Sequence, residues 1–115
     1  MAERPLKVVF DDLVFDRLEP DLEAVELLKA LIFDGRIVVL MPFVFRNELL
    51  ARFGAMPDWL PIRVIPDATN DDADVLVSDD PARRKRAELS GQFEALTYDE
   101  FAELLKLVQL KSQVF

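Results

Sequence analysis

Two pairs of adjacent carboxylates stand out in the sequence. Asp11-Asp12 follows the apolar run Val8-Val9-Phe10, and Asp79-Asp80 follows Asp74-Val75-Leu76-Val77-Ser78. Buried strands rarely carry an unpaired charge. Either these acids end their strands in water or they are held there for chemistry. Histidine and cysteine are both absent. That excludes disulfides, zinc–thiolate sites, thiol nucleophiles and imidazole bases. Catalysis in this chain would rest on carboxylates, hydroxyls, Lys/Arg or a bound metal.

A core around such acids is within reach of the composition. The chain has 115 residues, 51% of them hydrophobic, and a formal net charge of −8. The length suits a single domain over residues 1–115 with one core. Non-specific nucleic-acid binders are usually basic, so any nucleic-acid contact here must be local or metal-mediated. No apolar run approaches the roughly 20 residues that span a bilayer. The start, MAERPLK, lacks a signal-peptide core. The expected setting is cytoplasmic, without a membrane.

The elements that must position the acids follow from pattern. Val8–Phe10 reads as a first strand. Pro20-Asp21 opens a helix whose Leu22, Val25, Leu28 and Ile32 share a face, and Gly35 stops it. RIVVLM, residues 36–41, has the near-continuous apolar character of a central parallel strand. Pro42 to Gly54 reads as a second helix. RVI, 63–65, and DVLVS, 74–78, are strands joined by the acidic connection PDATNDDA, 66–73. Pro81 to Gly91 is a third helix and FEALT, 93–97, the last strand. Thr97 and Glu100 have capping-box spacing ahead of the final helix.

Strands and helices thus alternate. That pattern predicts an α/β fold in three layers, a mostly parallel sheet of four to five strands flanked by helices, with the first strand beside both RIVVLM and DVLVS. Ligands in such sheets sit beyond the carboxyl ends of the strands. Both acidic pairs fall on that edge.

With that order of elements, VVFDDLVF, RIVVLMPFVFRNELLA, ADVLVSDD and ALTYDEFAELL resemble the motifs of the PIN domain, over about residues 6–107. The family consists of small α/β proteins, many of them metal-dependent ribonucleases and many of them toxins of toxin–antitoxin pairs. The resemblance implies Asp11, Glu48 and Asp80 as catalytic metal ligands, with Asp79 as a neighbouring ligand. It implies Mg2+ or Mn2+, ions that prefer oxygen donors, and RNA as substrate. An antitoxin, another protein partner or a second copy of the chain are the partners it leaves open. Arg83, Arg84, Lys85 and Arg86 would then clamp RNA phosphates beside the metal. Without metal, several close carboxylates should repel, and at least one pKa should rise.

Plainer readings stand beside these. Asp80 before Pro81 is a good helix N-cap. Asp12 reads as a surface or helix-starting residue, Glu48 as an exposed glutamate, and the Arg/Lys run as a solvated helix face. The chain also departs from the family pattern. Asp12 and Leu13 stand where small polar residues are usual, and the helix that precedes A-D-x-L-V, with its acid, is missing. Asp71 or Asp72 could stand in for that acid from the loop. The alternative is therefore a catalytically inactive PIN-like interaction module. A phosphoacceptor receiver domain fits less well, because Pro66 and Tyr98 stand where that family needs its aspartate and lysine.

Overall fold

Strands form where β-branched and aliphatic residues run together, and among the described residues all of them pair in one sheet. The computed structural model describes residues 4–67 and 73–113. Along the chain it contains β1 (Leu6–Phe10), α1 (Val14–Leu18), α2 (Leu22–Phe33), β2 (Ile37–Pro42), α3 (Phe43–Phe53), β3 (Arg63–Ile65), β4 (Val75–Val77), α4 (Pro81–Ser90), β5 (Glu94–Leu96) and α5 (Tyr98–Gln113). The five strands are all parallel, in the order β3-β2-β1-β4-β5. β1 is central, with Val8 level with Val39 on one side and Val75 on the other. This is the expected α/β sheet, with the first strand in the expected place.

The strand period of two sorts the core into two faces. Val8, Phe10, Val39, Met41, Val75 and Val77 face α1, α2 and α5, where Phe15, Leu28, Phe101 and Leu105 complete the larger cluster. Val9, Leu40 and Leu76 face the other way, toward Ala87 of α4. Right-handed crossovers require this split: β1 to β2 and β4 to β5 run in opposite directions along the sheet only where their helices lie on opposite faces. The α4 face is the thinner. Among the described residues it buries six side chains against nineteen on the other.

Local chemistry sets the helix ends. α4 starts where Asp80 accepts the amide of Ala82 and Pro81 takes the first turn, and it stops at Gly91, whose φ of 70° disfavours side chains. The capping box at α5 forms in both directions: Thr97 N–H donates to Glu100 and Glu100 N–H donates to the Thr97 hydroxyl. Helix α1 was not expected from the sequence. Its five residues are too few to show a helical period, yet Val14, Phe15 and Leu18 are all buried. No helix among the described residues is long and apolar enough to cross a membrane. The connection between β3 and β4 falls partly outside the described residues, and so do Asp71 and Asp72.

Phe10 sits at the centre of the larger core. It has no exposed surface, and its ring meets Phe15 and Phe101 edge-on at 5.8 and 5.2 Å. Phe10→Ala should cost about 3–5 kcal/mol in urea unfolding. Phe33→Ala, at a side chain 91% exposed, should cost less than about 0.5 kcal/mol.

Candidate functional site

The strand order reverses between β1 and β4, and this is where an open α/β sheet leaves a crevice at its carboxyl edge. Phe10 and Val77 are in register. The next residues, Asp11 and Ser78, are therefore neighbours at that edge. Both are fully buried.

Asp11 uses both carboxylate oxygens twice. Oδ1 accepts the backbone amides of Leu13 (3.0 Å) and Val14 (3.1 Å), which fixes the turn into α1. Oδ2 accepts the Ser78 hydroxyl (2.5 Å) and Nη1 of Arg83 (2.9 Å). The same Arg83 nitrogen donates to Oδ1 of Asp12 at 2.8 Å. Arg83 Nε lies 3.6 Å from Oδ2 of Asp80, and its guanidinium stacks 4.9 Å from the Phe45 ring. Ser78 in turn accepts the amide of Asp80 through its hydroxyl, and its carbonyl accepts Arg84. Arg52 closes the other side. It donates to the Asp12 carbonyl, lies 3.6 Å from the Asp12 carboxylate and holds Asp16 at 2.7 Å.

Burial is the first cause of an upward shift in the Asp11 pKa. Ser78 and Arg83 oppose it, and the Asp12 charge adds least. The expected rise is present, but desolvation drives it more than repulsion between carboxylates does. Desolvation is the largest single influence on Arg83 and opposes its charge, but the hydrogen bonds and charges of Asp11 and Asp12 together outweigh it and raise its pKa.

The structure brings Asp11, Asp12 and Asp80 together around Arg83. Asp12, read from sequence as a surface residue, is buried, because Arg83 and Arg52 supply its counter-charge. Asp79 turns elsewhere: it accepts the backbone amide of Tyr98 and pairs with Arg17. The Tyr98 hydroxyl donates to Asp21, and burial with that bond raises its pKa. Glu48 is exposed on α3 and, among the described residues, makes no hydrogen bond or ion pair. The four cations of α4 divide, with Arg83 and Arg84 half-buried against the site and Lys85 and Arg86 exposed. Sequence reasoning missed Ser78, Phe45 and Arg52. The three-residue step from Asp80 to Arg83 was a legible signal only for the 3.6 Å contact between those two, not for the pairs with Asp11 and Asp12.

The donor set can be tested against the Mg2+ or Mn2+ that the resemblance implies. An ionised carboxylate offers about four acceptor positions, and protein donors occupy that many on Asp11. Asp12 is engaged by two arginines and Asp80 by the first turn of its helix. Among the described residues no group of three or more carboxylates is placed to hold a cation. The arrangement does not fit a resident divalent ion. Arg83 supplies the positive charge there.

Arg83→Ala would strand buried Asp11. At neutral pH it should cost about 3 kcal/mol, the low end for breaking a buried pair, because Arg83 is 22% exposed. Burial already holds the Asp11 pKa above its ordinary carboxylate value in the folded state. For a raised carboxylate, the stabilisation is present below the unfolded value and is lost as pH rises through the folded one. Removing Arg83 takes away two of the influences that lower this pKa, so the loss should extend to higher pH. Urea midpoints between about pH 4 and 7 should therefore fall more steeply in Arg83→Ala than in the wild type. Parallel curves would contradict the assignment of Arg83 as counter-ion of Asp11.

Compared with protein-family models, curated proteins and solved structures, the chain matches none of them.

Proposed function

We propose that the chain is a PIN-like interaction module in which Arg83 provides the charge that a metal ion would otherwise bring. One observation carries this reading: a single guanidinium nitrogen lies 2.9 Å from Asp11 and 2.8 Å from Asp12. The acidic centre then acts as a structural clamp that ties β1, β4 and α4 together. The working surface is elsewhere. Phe43 and Val44 are exposed at the start of α3, beside the Phe45 that carries Arg83, with the Arg46 guanidinium over the Phe43 ring. Exposed apolar side chains gathered at one place suit a protein partner. The cytoplasm is the compartment this reading implies, in keeping with a chain that has no cysteine.

A second reading, the metal-dependent ribonuclease or toxin, is favoured by the position of Asp11 and Asp80 at the reversal point of the sheet and by the exposed Lys85 and Arg86 on the adjoining helix. Manganese titration separates the two. The module should show no manganese binding in the low millimolar range, by calorimetry or by NMR line broadening at Asp11, and no manganese-dependent cleavage of single-stranded RNA. Binding together with cleavage, both lost in Asp11→Asn, would overturn the module in favour of the nuclease.

A further inference from the structure

The thin face of the sheet holds a pocket that shares Val44 and Phe45 with the proposed partner surface and Arg86 with the nuclease reading, yet neither reading assigns it a ligand. Its volume is about 480 Å³, within the roughly 300–1,000 Å³ usual for small-molecule sites. Val9 and Leu76 of the sheet line it together with Phe45 and Phe93, so its body is apolar. Arg86, Gln92, Ser90 and Asp67 add polar groups to the lining, and Asp67 already has an interaction of its own. The two that matter here are Arg86 and Gln92. Both are exposed, and among the described residues neither side chain makes a hydrogen bond or ion pair. Arg83 also lines the pocket, but its guanidinium is committed to Asp11 and Asp12.

These features define a ligand chemistry. An apolar body with two phenylalanines suits a flat ring system. A free guanidinium suits a phosphate or carboxylate, which it can hold with two parallel hydrogen bonds. A free primary amide both donates and accepts, as the edge of a heteroaromatic base requires. Arg17 and Arg52 are already spent on carboxylates. Among the described residues Arg86 is not, so its guanidinium is the local cation that could hold an anion against the −8 of the whole chain.

We propose that this pocket binds a nucleoside monophosphate, with the base on the apolar floor against Phe45 and Phe93, its edge at Gln92, and the phosphate on Arg86. The site differs from the acidic centre in what it recognises, and it requires neither a metal nor RNA cleavage. It stands whether the chain is a module or a nuclease.

The test uses the full chain, isotope-labelled and titrated with adenosine monophosphate, adenosine, inorganic phosphate and a short single-stranded RNA. The mononucleotide should shift the amide resonances of Phe45, Phe93 and residues 86–92. Adenosine and inorganic phosphate should each bind at least about tenfold more weakly, a loss of about 1.4 kcal/mol. Arg86→Glu should weaken the mononucleotide by about tenfold or more with the remaining spectrum unchanged, and Gln92→Trp, which fills the rim, should do the same. Both positions are exposed, so folding is not at stake. No shift with the mononucleotide at about 10 mM, equal binding of phosphate alone, or full affinity in Arg86→Glu would each overturn the proposal. Binding of the RNA without binding of the mononucleotide would overturn it as well.

Discussion

A carboxylate with no exposure to water must find its charge and hydrogen-bond partners inside the protein, and Asp11 meets that demand from four directions. Two backbone amides come from the turn into α1, a hydroxyl comes from the end of β4, and a guanidinium comes from α4. Leaving any of these donors out would expose a buried polar group to an apolar surrounding, at a cost of about 1–3 kcal/mol or more. The carboxylate thus couples β1 to elements more than sixty residues away. The turn it fixes is the one that folds Phe15 back onto Phe10, so the acidic centre and the aromatic core are set by the same residue. Ser78 is the matching half. Its hydroxyl donates to Asp11 and accepts from Asp80, which carries the order of the site into the first turn of α4.

The distribution of helices follows from connection lengths. Two helices lie between β1 and β2, and a sixteen-residue helix follows β5; all of them pack on one face. The other face receives α4 and the ends of the connection from β3 to β4, of which Ile65 and Ala73 are buried. Parallel crossovers normally run to a dozen residues or more and usually contain a helix. This one spans residues 66–74. The pocket beside Val9 and Leu76 lies on that side.

Much of the scaffold was legible because its signals are local. The β-branched runs at Val8–Phe10 and Ile37–Leu40, the Asp80-Pro81 start and Gly91 stop of α4, and the Thr97–Glu100 box all depend on residues within a few positions of one another. The candidate site was half legible for the same reason. Asp11 and Asp80 could be placed at one sheet edge from strand order alone. What they do there could not, because it depends on the direction of a side chain. Four consecutive cations read as one charged face, yet a helix advances about 100° per residue, which divides them between the site and the solvent. Arg52 was out of reach altogether. It meets Asp12 across forty residues, and nothing near either residue announces the other.

That division of α4 gives the site its character. A chain with 22 acidic and 14 basic residues has more carboxylates than cations to pair them. In such a chain an arginine is most stabilising where a carboxylate cannot reach water, since exposed pairs contribute only about 0–1 kcal/mol. Among the described residues Asp11 and Asp12 are the buried acids, and Arg83 is the cation whose position on the helix, three residues past the N-cap, lets it reach both. The rigid fork of a guanidinium suits this better than the flexible ammonium of lysine, and its flat face can rest on Phe45 while its edge holds the acids. One side chain therefore joins the ion pairs at the sheet edge to the apolar wall of the pocket. Arg86, three residues further on, has the same chemistry, and among the described residues it makes no ion pair.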